Sequence, residues 1–272
     1  MRRITTAIVF AAAAVLGGDL AAAVAAQGTL YTKDGGQKSG LIKWSARNKS
    51  YVITQKQASG TMDIEVEAKN VDRLDIKPPQ GIEQAIKAVD AGNGAAQIKF
   101  LEKVVEDYAH LQWDQKAGSY LAKAYIDANN GAKALDICKK IIEVDKTAAY
   151  SGDLAPTYWQ ALITNTQAAT LEKVLAKAAS SGDRFASASA LIARGDAILA
   201  KDDTAAGARK ALVDGYLRVV LLYNDPEVGP RVRPEALYKA AQSFEKYGQT
   251  SRASDLRGEL KSKYANSPWA SK

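Results

Sequence analysis

The chain is short of the residues that most chemistry requires. It has one cysteine and one histidine, and aromatics make up only 7% of it. A lone Cys138 cannot form an internal disulfide, so core burial must hold the fold even in an oxidising compartment. With His110 alone, no histidine cluster can bind zinc. A Ser–His–Asp site would rest entirely on that one residue. His110 lies in a turn beside Asp107 and Asp114, where a solvated or capping role is the ordinary one. Cys138 falls among helix-packing positions, where burial makes a thiol inert. Asp34-Gly35-Gly36 and Gly92-Asn93-Gly94 lack the Lys-Ser/Thr of a phosphate loop and read as turns. The acid pairs Asp202-Asp203 and Glu106-Asp107 sit at helix ends, as solvated carboxylates commonly do. No catalytic, cofactor-binding or metal-ligating residue is assigned, and a non-enzymatic role is expected.

Long apolar runs are also missing beyond the first residues. Arg2 and Arg3 precede the apolar stretch Ala7 to Leu16, Asp19 closes it, and small residues run from Ala21 to Ala26. That is the layout of a secretory signal peptide over 1–26, cleaved after Ala25 or Ala26. The run is too short for a bilayer, which needs about 20 residues. An exported protein of the periplasm or cell envelope is therefore expected, with no transmembrane segment in the mature chain.

Lys and Arg number 37 against 30 Asp and Glu, a formal net charge of +7. Export argues against nucleic acid as a partner. An anionic envelope polymer fits the sign, although acids are interleaved with bases throughout.

Two regions differ in texture. Over 27–77, five short strand signals recur: Gly28 to Lys33, Leu41 to Trp44, Tyr51 to Thr54, Met62 to Val66 and Val71 to Ile76. Met62, Ile64 and Val66 alternate with Asp63, Glu65 and Glu67, as in a strand with one buried face. A small, closed, five-stranded antiparallel β-barrel of SH3-like type is expected, since closure removes exposed edges. Pro78 and Pro79 mark a stiff linker at 78–80. Over 81–268 the period becomes helical, as in Ala134, Ile137, Ile141 and Ile142. Breaks divide this region into about ten helices, grouped as five antiparallel hairpins beginning near Ile82, Asp114, Pro156, Arg184 and Pro234.

The hairpins share a pattern. Gly118-x-x-Leu121-Ala122-x-x-Tyr125 is followed by Ala134, twelve residues after Ala122. Leu237-x-x-Ala240-Ala241-x-x-Phe244 is followed by Ala253 at the same interval. Weaker copies are Leu191-x-x-Arg194-Gly195-x-x-Ile198 and Trp159-x-x-Leu162-Ile163. Small side chains let two helices cross closely, and the aromatic fills the space beside the crossing. The pattern resembles the tetratricopeptide repeat. The stretches Tyr216 to Val220, Pro234 to Ala241 and Tyr264 to Pro268 are similar to exported, cell-envelope members of that family.

The resemblance implies a mainly α, tetratricopeptide-like α-solenoid after the β-barrel, and a scaffold for a protein or peptide partner of the envelope. Carried over position by position, the concave face would comprise Lys116, Ser119, Lys123, Thr157, Gln160, Thr164, Asp196, Tyr238, Gln242 and Glu245. The alternative is a glycan or cell-wall binding protein using Trp44 and Tyr51, which could equally be a cross-strand core pair. Of the adjacent Tyr158 and Trp159, one is expected to be exposed or at a contact.

Overall fold

The computed structural model describes residues 24–272 except Ser59. The expected leader lies outside them, apart from its last three residues. Alternating apolar residues make strands β1 (Ala26–Thr32), β2 (Gln37–Ser45), β3 (Ser50–Gln57), β4 (Gly60–Glu67) and β5 (Val71–Ile76). All pairings are antiparallel, in the order β4-β3-β2-β1-β5. Ala26 opens β1 opposite Ile42 and is buried, so the sheet begins one residue before the expected boundary.

The expected barrel is not closed: β4 and β5 do not pair with each other and remain edges. The reason lies in what covers the inner face. Leu30, Ile42, Ile53, Val66 and Ile76 form its core together with Leu111, which belongs to the helical region and is fully buried. Apolar cover supplied from outside removes the need to curl the sheet shut. Met62, near the start of β4 and expected on the buried face, is exposed.

The helices are α1 (Ile82–Asp90), α2 (Ile98–Asp107), α3 (Trp113–Asp127), α4 (Gly131–Val144), α5 (Leu154–Thr164) and α6 (Ala168–Ser180). They continue with α7 (Arg184–Lys201), α8 (Ala205–Ala211), α9 (Leu217–Leu222), α10 (Gly229–Lys246) and α11 (Thr250–Lys263). A π-helical turn, Leu212–Tyr216, joins α8 to α9 in one rod. Side chains of Asn130, Asp183 and Thr204 cap α4, α7 and α8 by accepting from backbone amides three residues on. Such caps satisfy donors left free by the first helical turn.

Counting α8–α9 as one, ten rods form five successive pairs among the described residues. The last pair starts at Gly229, not Pro234; Pro230 begins the helix and Pro234 lies inside it. Proline fits a first helical turn, and Pro234, a turn later, removes only one backbone donor.

Small residues are buried among the paired helices. Ala122 and Ala134 are buried in one core, Ala241 and Ala253 in a second. A methyl placed on Gly118 would lie 3.0 Å from Ile141, so α3 meets α4 at a residue without a side chain. Another close crossing is in the fourth pair. There a Cβ on Gly215 would sit 2.9 Å from the Cα of Gly195, backbone against backbone. Tyr158 and Trp159 are both buried, contrary to expectation. Helix α5 touches α3, α4, α6 and α7, so opposite faces of one helix are covered. The Trp159 indole N–H donates to the Ala149 carbonyl at 2.9 Å.

Candidate functional site

The first helices of successive pairs lie side by side: α1 touches α3, α3 touches α5, α5 touches α7, and α7 touches α10. Ion pairs join both ends of the row, Lys123 with Asp90 at 2.7 Å and Lys239 with Asp196 at 2.6 Å.

The face of this row divides into two parts. Toward α3 and α5, Lys116 is exposed and Thr157 and Gln160 are half-buried. Lys116 lies over the Trp113 ring at 5.0 Å. Ser119 and Thr164 bond back to carbonyls of their own helices, from Gln115 and Gln160. Thr164 also packs over Gly131, where a Cβ would come within 2.5 Å, so it belongs to the α4–α5 contact. Lys123 is engaged by Asp90.

Toward α7 and α10 the polar residues are joined to one another. Asp196 accepts from the Tyr216 hydroxyl at 2.8 Å and from Lys239 at 2.6 Å, and Lys239 also reaches Glu235 at 2.6 Å. The π turn places Tyr216 here, with its ring over Gly195. A π turn shifts the helical register by one residue and often marks a special site. Burial alone would lower the Lys239 pKa, but Glu235 and Asp196 outweigh it and hold the ammonium above the usual lysine value. Burial, then the Asp196 charge and hydrogen bond, pushes the Tyr216 phenol well above its ordinary range. Gln242 donates to the Tyr238 hydroxyl at 3.0 Å. Glu245 accepts two bonds from Arg257, both at 2.9 Å. Trp269, beyond α11, stacks on Tyr238 with ring centroids 5.3 Å apart.

Thus Asp196, Tyr238, Gln242 and Glu245 each already have an internal partner. Sequence reasoning missed Tyr216, Glu235, Lys239 and Trp269. The four-residue spacing of Glu235 and Lys239 on one helix was a readable sign of pairing. Nothing in the sequence showed that Trp269 folds back.

Trp44 and Tyr51 pair across β2 and β3, with centroids 4.9 Å apart, and both are half-buried. Trp44 also stacks on His110 at 4.5 Å, and the Tyr51 hydroxyl donates to the His110 carbonyl at 3.1 Å. Burial, with the Asp114 charge second, raises the Tyr51 pKa. These aromatics therefore line the seam between sheet and helices. His110 is exposed at the α2–α3 turn, and its backbone N–H donates to Asp114 at 2.8 Å.

Cys138 is buried and free, its thiol pushed up to about 12 by burial. Among the described residues, no helix is long and apolar enough to cross a membrane. Comparison with protein-family models, curated proteins and solved structures finds no match to this chain.

Proposed function

We propose that this chain is a non-enzymatic, tetratricopeptide-type scaffold exported to the bacterial cell envelope. Its helix pairs stack as an α-solenoid, and a protein or peptide partner lies along the first helices. The observation that carries this reading is the part of that row over α3 and α5. Lys116, Thr157 and Gln160 present a cation, a hydroxyl and an amide there. Their side chains make no hydrogen bond or ion pair with another described residue. Such groups suit hydrogen bonding to a peptide at modest affinity, because little must be desolvated or broken first. The paired small residues support the repeat assignment, since they set the close crossings on which such stacks depend.

Glycan binding by Trp44 and Tyr51 has weaker support, because their rings and the Tyr51 hydroxyl are engaged within the seam.

The test is capture from native envelope extracts by the full chain and by a Lys116→Glu, Gln160→Glu double variant. Loss of the captured species, with circular dichroism and melting unchanged, is expected. Undiminished capture would remove the α3–α5 face as the contact.

A further inference from the structure

The residues after α11 turn back onto the molecule. The amide of Ser267 donates to the Tyr264 carbonyl at 2.9 Å and that of Ala270 to the Ser267 carbonyl at 3.0 Å. These turns bring Trp269 over Tyr238, with the Lys239 ammonium 5.7 Å and the Lys272 ammonium 4.0 Å from its ring.

This contact is not built like the core. The indoles of Trp113 and Trp159 each donate a hydrogen bond at 2.9 Å, whereas that of Trp269 finds no acceptor among the described residues. Trp269 stays half-buried. An open surface cleft of about 440 Å³ is lined by Pro230, Arg231, Pro234 and residues 263–269. Trp269 and Ala270 pack only at the edge of the α10–α11 core, and such a half-buried aromatic, with no hydrogen bond to its indole, costs less to displace than a buried one.

We propose that residues 264–272 are a strap occupying in cis the α10 end of the binding face, and that the partner is a peptide that replaces it. The strap itself shows the chemistry required: an aromatic side chain that packs on Tyr238 beside the Lys239 ammonium, followed three residues later by a cation over its own ring. Partner and strap exclude one another. This rests on the reading of the first helices as the binding face.

The test uses the full chain and a fluorescent synthetic peptide of residues 265–272, followed by anisotropy. A tethered ligand competes at millimolar effective concentration, so Trp269→Ala should bind the peptide at least roughly tenfold more tightly than the parent. Adding Tyr238→Ala should abolish that gain, and a peptide with alanine for tryptophan should not bind. Equal binding by parent and Trp269→Ala, or no binding by a Trp269→Ala chain that melts like the parent, overturns the strap. Should Trp269→Ala fail to fold, hydrogen exchange on the parent decides. Residues 264–272 should exchange faster than α11, and exchange as slow as that of α11 refutes release. Peptide binding that survives Lys116→Glu with Gln160→Glu separates the strap from the scaffold reading, since each can then fail alone.

Discussion

The indole N–H of Trp113, the first residue of α3, donates to the carbonyl of Ile76, the last residue of β5, at 2.9 Å. This bond bypasses Pro78 and Pro79 and ties the sheet to the helices. Beside it Leu111 fills the sheet core, between two residues of positive φ, His110 at 65° and Gln112 at 74°. Left-handed backbone costs about 1–3 kcal/mol for such residues and persists only where packing holds it. Here the burial of Leu111 does so.

Sheet and helices should therefore unfold together. Leu111→Ala is expected to cost about 2–5 kcal/mol, and Trp113→Phe about 1 kcal/mol. Calorimetry should show one transition in the parent and two in Leu111→Ala. A single, unshifted transition in the variant would show that the seam contributes nothing.

The glycines make opposite predictions. On Gly195 a Cβ would lie 2.5 Å from the Tyr216 ring, so Gly195→Ala should destabilise by about 1–3 kcal/mol through overpacking. Gly258, within α11, has open space around it. Gly258→Ala should stabilise by about 0.5–1 kcal/mol, as expected for an unobstructed helical site. Urea midpoints of the two variants give the comparison directly.

Alkali should weaken the fold through the α7–α10 cluster. Tyr216 and Lys239 both have native pKa values above their ordinary ones. The unfolded chain loses these protons near pH 10 while the native chain keeps them. Their contribution is thus complete below about pH 10 and falls as the pH rises further, by about 2 kcal/mol near pH 11. A Tyr216→Phe, Lys239→Met variant should lose less stability than the parent between pH 8 and 11. Equal losses would place the alkaline sensitivity elsewhere.

Cys138 offers a clock for opening. With its thiol buried and pushed up to about 12, almost none is thiolate at neutral pH. Ellman's reagent should react negligibly with the native chain and fully in denaturant, at a rate that follows unfolding. Rapid labelling of the native chain would mean that the α3–α4 packing opens locally.

Much of this was legible in the residues. Short apolar runs between turn residues placed all five strands, the two prolines the break at Pro78-Pro79, and recurrent turn residues within a helical period the ten helices, because all are local signals. What escaped were contacts between distant segments. Leu111 reads as an ordinary turn residue until β1 to β5 are found around it. Asp196 and Glu245 read as free groove acids, since Lys239 and Arg257 become their partners only when the helices pack. The π turn left no periodic sign, because one extra residue merely shifts the phase of α9.

The unpaired rim of the sheet has one further consequence. An edge strand offers its amides and carbonyls to any passing strand, including that of a second molecule. On β4, Asp63, Glu65 and Glu67 recur at every other position. Two heads meeting rim to rim in antiparallel fashion would set carboxylates against carboxylates, where like charges repel. The acidic stripe thus does for an unsealed sheet what closure would have done, and it discourages the molecules from zipping together.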